Sequence, residues 1–452
     1  MADLPRSTMR LRLAAAMLPL LLAACGGGDG YEGTPPPATC SVTDQKNWLG
    51  SYVNDWYLWY DIAPRPNAAS YADVESYFDA LLYTGTRAGT PADRWSGSQS
   101  TESFNRFFGD GATLGYGLSV AGLELAGDAT QPLYVRYVEA RSPAARAGVQ
   151  RGDRVMSING RSAAAVIASD DFSALTAGAS GDRLSLVMRR NGIDRSLTLS
   201  AEVFNLTPVT GTSLLRTTAG RLIGYVNVKD MVSQALTPAD DAFAQFKSAG
   251  VIDLVFDLRY NGGGMVSTGA TLASYIAGLR GSGKRYATLR YNDKRAAANN
   301  VSYSFAQPAS SLGLPRVFVL MGRRTCSASE QLISGLRGAG VQVVAIGETS
   351  CGKPVGFNPS SQCGRTYSLV TFDSVNDRGD GGYYDGLAAT CPVAENFSTV
   401  QGSWDDPLVD AAGRFADNGV CPVANGREQP QGLRAPRRLG AEPGEWQGMI
   451  AR

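Results

Sequence analysis

Histidine does not occur anywhere in the 452 residues. Its absence excludes a Ser-His-Asp or Cys-His triad and confines any metal site to cysteine and carboxylate ligands. Lysine is scarce as well. Only Lys46, Lys229, Lys247, Lys284, Lys294 and Lys353 are present, and the other 36 basic residues are arginine. Arginine stays protonated and cannot serve as a general base. A hydrolase built from this chain must therefore find its base among six lysines and the carboxylates. Charge imbalance is missing too: a net charge of +1 gives no long-range attraction to nucleic acid or to an anionic membrane. There is no CxxC pair, which argues against thioredoxin-like redox work and a cysteine-only zinc knot. Nothing in the sequence requires a metal or a cofactor.

Against these shortages, 44% of the residues are hydrophobic, enough to fill real cores in two or three domains. Residues 1–24 read as an export signal: Arg6, Arg10 and Arg12 precede a short apolar run from Leu13 to Ala24. That run is too short to span a bilayer. Its Leu-Ala-Ala-Cys ending resembles a bacterial lipobox, which implies a lipid anchor on Cys25. By the same resemblance, Gly26 implies an outer-membrane address facing the periplasm. Residues 25–40 read as a tether rich in glycine and proline. Export permits disulfides. Setting Cys25 aside leaves Cys40, Cys326, Cys351, Cys363, Cys391 and Cys421, with Cys351–Cys363 and Cys391–Cys421 as the favoured pairs.

Residues 41–110 carry Trp48, Tyr52, Trp56, Tyr57, Trp59 and Tyr60, mostly three or four apart. This spacing predicts a small helical region packing its rings inward, with an exposed patch for glycans or lipids as the rival. Residues 112–204 hold short β-like runs instead. Between them Ser142 opens a short helix with Pro143 at its first position, and Asn159-Gly160 forms a tight hairpin turn. The S-P-A-x-x-A-G-V, G-D-x-V and I-N-G pattern resembles a PDZ domain. That resemblance implies that Gly115, Tyr116, Gly117 and Leu118 receive a peptide's C-terminal carboxylate, the peptide being added as a strand. From 206 to 420 strands and helices alternate, which predicts a layered α/β core and a multidomain α/β (α+β) chain overall. Residues 421–452 lose periodicity and read as a tail.

Three junctions at strand ends stand out, because α/β folds place ligands there. The first is the glycine run 262–264 after Asp257-Leu-Arg-Tyr-Asn. The second is Thr325-Cys-Ser-Ala-Ser-Glu330, opening a helix whose free N–H groups can stabilise an oxyanion. The third is Gly347-Glu-Thr-Ser-Cys-Gly-Lys353, where a desolvated lysine could shed its proton and activate a serine. In this order and after a PDZ domain, D-L-R-x-N-x-G-G, T-x-S-A-S-E and G-E-x-x-x-G-K resemble the carboxy-terminal-processing (tail-specific) serine proteases, over roughly residues 112–415.

The resemblance implies a protease core of ClpP/crotonase-like fold. It further implies Ser327 as nucleophile, Lys353 as general base, and the N–H groups of Ala328 and Gly263 as oxyanion hole. Substrates would be periplasmic proteins or peptides held by their C-terminal tails. Ser329 and Glu330 read as residues that shape the helix start. Phe357 stands where many members carry a glutamine that orients the lysine, so Glu348 and Gln362 become the candidate orienting residues. Cys326 and Cys351 flank the pair, and a bond between them would tie the nucleophile and base loops. The alternative function is a membrane-tethered PDZ scaffold whose peptidase site is degenerate.

Overall fold

The computed structural model describes residues 34–422, apart from 123, 124 and 126, and residues 448–451. The export signal and Cys25 lie outside them. Ser41 opens the first helix, Val42–Trp56, by accepting the Asp44 N–H on its side chain. The helix buries Trp48, Tyr52 and Trp56 on one face, and Trp48 stacks on Tyr52 at 4.9 Å. Tyr57 and Trp59 are buried as well, so these rings form a core and not an exposed patch. The core is shared with the rest of the chain. Tyr52 donates to the Asn358 carbonyl, and the strand Gly97–Ser100 pairs with Arg365–Ser368. Among the described residues no helix is long and apolar enough to cross a membrane.

Five strands, Leu118–Val120, Leu133–Val138, Arg154–Ile158, Arg183–Arg190 and Ile193–Ser200, follow one another in that order in one antiparallel sheet. Their inward residues, among them Val135, Val155, Leu184 and Leu186, make a core with Val166 and Ile167 of the helix Ala163–Ser169. Asn159 and Gly160 both have positive φ, 47° and 78°, as a tight hairpin turn of the primed type requires. Ser142 caps the helix Pro143–Arg146 and also donates to the Gly117 carbonyl. A side chain on Gly117 would meet Ser142 Cβ at 1.9 Å, so glycine alone fits that loop.

The remaining residues build two sheets. The first runs Val209–Arg216, Leu222–Val228, Asp253–Asp257, Arg316–Met321, Gln342–Gly347 and Cys391–Pro392, parallel after its first strand. The helices read from the alternation are present, as Leu236–Ser248, Val266–Ala277 and Ala328–Gly338. The second sheet runs Gly263–Met265, Gly448–Ile450, Val355–Phe357, Val370–Val375, Arg285–Tyr291 and Val301–Ser304. This curled two-sheet core corrects the ClpP/crotonase-like expectation. Alternation exposes only the parallel sheet, whereas three strands of the other have three residues each, too few to show a period.

Two further expectations change. The 421–452 segment is not all tail, since Gly448–Ile450 returns to the second sheet, between its edge strand Gly263–Met265 and Val355–Phe357. The Cys391–Cys421 bond forms, but Cys351 pairs with Cys326 and Cys363 pairs with Cys40, in place of Cys351–Cys363.

Candidate active site

The glycine run is fixed from below. Asp257, at the end of its strand, accepts from Tyr225 and Arg259, and the buried Arg259 also bonds Asp406 at 2.7 Å. The turn that follows is held by Asn261, whose side chain donates to the Val228 carbonyl and accepts from the Gly263 N–H and the Ser329 hydroxyl. Ser329 thus stitches the glycine strand to the start of the 328–338 helix. Gly263 and Gly264 have φ of 109° and 137°, and a Cβ on Gly264 would lie 2.3 Å from the Met231 carbonyl oxygen. Neither position admits a side chain.

Ser327 sits at the junction of the Arg316–Met321 strand and its helix with φ 59° and ψ −113°. For a residue with a side chain this is a strained conformation, the kind that persists where a sharp strand-to-helix turn aims a nucleophile. Its hydroxyl is fully buried and makes no hydrogen bond, so the Ser327–Lys353 hydrogen bond is not formed in this arrangement. The Ala328 N–H beside it is at the first position of the helix, where no intrahelical acceptor exists. The Gly263 N–H is engaged by Asn261 at 2.8 Å.

Lys353 is 1% exposed. Burial pulls its ammonium down to about 7, against the opposing pull of the Asp93 and Glu330 charges. The ammonium lies 3.9 Å from the centre of the Phe357 ring, so the residue that replaces the expected glutamine contributes a cation–π contact. Of the two orienting candidates, Glu348 faces Arg323 at 3.9 Å and is about a third exposed. Gln362 lies in the short strand Ser360–Gln362, opposite Arg365.

Two residues overlooked in the sequence take larger parts. Glu330 is fully buried, and its carboxylate accepts from the N–H groups of Ser327, Gly352 and Lys353 and from the Ser350 hydroxyl. It joins the Ser327 turn to the Lys353 loop, parallel to the Cys326–Cys351 bond. The S-x-x-E spacing at a helix start was the available signal, read only as a cap. Asp93 comes from the loop before the Gly97–Ser100 strand, within the helical region, where it accepts from Tyr57, Ser96 and two backbone N–H groups; no local pattern marks it. Asp93→Asn should move the pH midpoint of activity downward, because the charge that supports the ammonium is removed. A pH profile of kcat/KM on a model peptide measures it, and an unmoved midpoint refutes the coupling.

Among the described residues, Cys326, Glu330 and Cys351 form a cluster with metal-ligand chemistry. The disulfide consumes both thiolates, and the carboxylate is taken by its four donors. Gly115, Tyr116, Gly117 and Leu118 line a cavity of about 300 Å³ that also receives Arg106, Glu139 and Lys229.

Residues 222–373 match peptidase family S41, residues 44–97 the peptidase S41 N-terminal domain, and residues 134–190 a PDZ domain. By these matches the chain is similar to the carboxy-terminal-processing (S41) peptidases, with an embedded PDZ domain. The chloroplastic C-terminal processing peptidase of Tetradesmus obliquus is 28% identical over 254 residues, 54% of this chain and 52% of that one. The chain therefore spans about half of that relative's length. A carboxyl-terminal-processing protease of a Synechocystis strain is 25% identical over 342 residues, with 72% and 74% covered. Among solved structures, a Bacteroides fragilis chain described as an S41 protease superposes with a TM-score of 0.63 at 24% identity, over 82% of this chain and 97% of that one. The photosystem II D1 C-terminal processing protease superposes at 0.50 and 18% identity, over 83% and 98%. Both are likenesses of fold. They set the S41 peptidase fold, a PDZ-like β-domain plus a curled-sheet core, in place of the ClpP/crotonase-like expectation.

Proposed function

We propose that this chain is a serine endopeptidase working through a Ser327–Lys353 dyad on proteins or peptides recognised by their C-terminal tails. The observation that carries the reading is the buried Lys353, its ammonium brought to about 7 on a loop tied by Glu330 and a disulfide to the strained Ser327. Neutral Lys353 takes the Ser327 proton, Oγ attacks the scissile carbonyl, and the Ala328 and Gly263 N–H groups receive the oxyanion. For that, the Gly263 N–H must leave Asn261. Collapse of the tetrahedral species releases the amine with the proton from Lys353, and water then cleaves the acyl-enzyme. The Gly115–Leu118 loop supplies N–H groups for the tail's carboxylate at the cavity beside Lys229. The implied address is the cell envelope, with Cys25 as the lipid anchor and the outer membrane as its place.

A fluorophosphonate probe tests the dyad. Labelling should disappear in Ser327→Ala and fall strongly in Lys353→Ala, and labelling that survives Ser327→Ala rejects the assignment. The second reading, a PDZ scaffold with a degenerate site, is favoured by the unbonded Ser327 hydroxyl and by Phe357. It predicts neither labelling nor tail cleavage in the unaltered chain.

A further inference from the structure

Ser327 and Lys353 are both sealed from solvent, at 0% and 1% exposure. A peptide bond cannot reach the hydroxyl until something beside it is displaced. The neighbour that differs in kind from the rest is the strand Gly448–Ile450. It is separated in sequence from every other strand of its sheet, yet it lies between Gly263–Met265 and Val355–Phe357. It runs parallel to the first, with Gly448 opposite Gly263, Met449 opposite Gly264 and Ile450 opposite Met265. On its other edge Ile450 pairs with Phe357, and the Ala451 N–H bonds the Phe357 carbonyl.

The point where a Cβ would stand on Gly263 is 2.3 Å from the Gly448 carbonyl oxygen and 3.0 Å from the Ala328 nitrogen. The Gly448 carbonyl and the Ala328 nitrogen therefore both stand against the same face of Gly263. Without these residues, the glycine strand and the strand after Lys353 would face each other across a slot of about 9–10 Å, one strand wide. Their edges would offer backbone donors and acceptors on both sides, the requirement for binding an extended peptide by strand addition. The other edge of the glycine strand is taken by Met231, which bonds Gly263 and Met265.

We infer that the slot between Gly263–Met265 and Val355–Phe357 is the channel for the scissile segment of the substrate, and that residues 448–450 occupy it as an intramolecular pseudosubstrate. The inference rests on the Ser327–Lys353 reading. It also names the substrate class, because the slot shapes its occupant. Met449 and Ile450 are fully buried, Met449 sulfur accepting from Gln331 and Ile450 packing on Phe104, Phe107 and Phe108. The channel accordingly takes extended segments with two successive apolar side chains following the residue at the Gly448 position.

Two variants test it, a chain ending at residue 447 and the full chain carrying Met449→Asp, which places a charge in the apolar slot. A fluorescent Gly-Met-Ile-Ala-Arg peptide should bind both, by anisotropy, and bind the unaltered chain at least tenfold more weakly. In both variants fluorophosphonate should label Ser327 at least tenfold faster, and the unlabelled peptide should restore the slow rate. Failure of the peptide to bind a variant that still melts cooperatively overturns the inference. So does labelling that slows in both variants and is rescued by the peptide, since the strand would then be a structural member of the sheet. Peptide binding with no Ser327-dependent labelling in any chain would instead reject the dyad and leave the occupied channel standing.

Discussion

Lys353→Met should lower kcat/KM about a thousandfold and at the same time make the chain harder to unfold at pH 6. On the proposed dyad, the first effect is the loss of a general base, a contribution typically of about 10²–10⁴ in rate. The second follows from linkage. The folded-state pKa is about 7, because burial disfavours the ammonium, whereas the unfolded lysine titrates near ~10.4. Below about 7 both states hold the proton, and the cost of burying the charge is fully present. Between about 7 and ~10.4 the unfolded state binds the extra proton, so stability rises with pH and the cost fades. The difference in pKa corresponds to about 5 kcal/mol across that window. Unfolding the two proteins in urea at pH 6 and pH 9 isolates the term, since every other group cancels in the comparison. The advantage of Lys353→Met should be largest at pH 6 and shrink at pH 9. Equal stabilities at both pH values would mean that the ammonium is not buried.

Glu330→Gln should cost about 3 kcal/mol in stability and more than a hundredfold in kcat/KM. Each carboxylate oxygen takes two donors: Ser350 hydroxyl and Gly352 N–H on one, Ser327 N–H and Lys353 N–H on the other. An amide must turn its NH2 toward one of these pairs, leaving buried donors facing donors. Both loops of the dyad depend on this one group, so the loss of geometry falls directly on the reacting atoms. A positioning role also has an electrostatic signature. The Glu330 charge supports the Lys353 ammonium, so the pH midpoint of kcat/KM in Glu330→Gln should lie below that of the unaltered enzyme. A variant that loses stability and keeps both midpoint and rate would reduce Glu330 to a helix cap.

The legible parts of this protein were those written in contiguous residues. Ser142-Pro143, Asn159-Gly160 and the strand–helix alternation around 253–347 each encode local geometry, and each appears where the pattern placed it. Ser327, Lys353 and the glycine run were visible for the same reason, since every one lies at the end of a periodic segment. What stayed hidden is what the chain assembles from afar. Asp93 acts on Lys353 from 260 residues away, out of a loop with no period. Gly448–Ile450 is three residues long, and its place is set by the open edges of two other short strands. The Cys326–Cys351 bond was legible from its place beside the two motifs, whereas Cys40–Cys363, joining positions 323 apart, was not.

The Cys40–Cys363 bond, which joins positions 323 apart, has a consequence for the lifetime of the molecule. It clasps the start of the first helix to the turn between Ser360–Gln362 and Arg365–Ser368, and encloses the PDZ domain and Ser327 within one covalent ring. A single cut anywhere between these two cysteines opens the ring and releases nothing. A nicked enzyme would migrate as two fragments only after reduction, and until then would keep its dyad, its PDZ loop and its N-terminal aromatics on one particle. In a compartment where proteases meet one another, such a chain can be wounded without being dismantled.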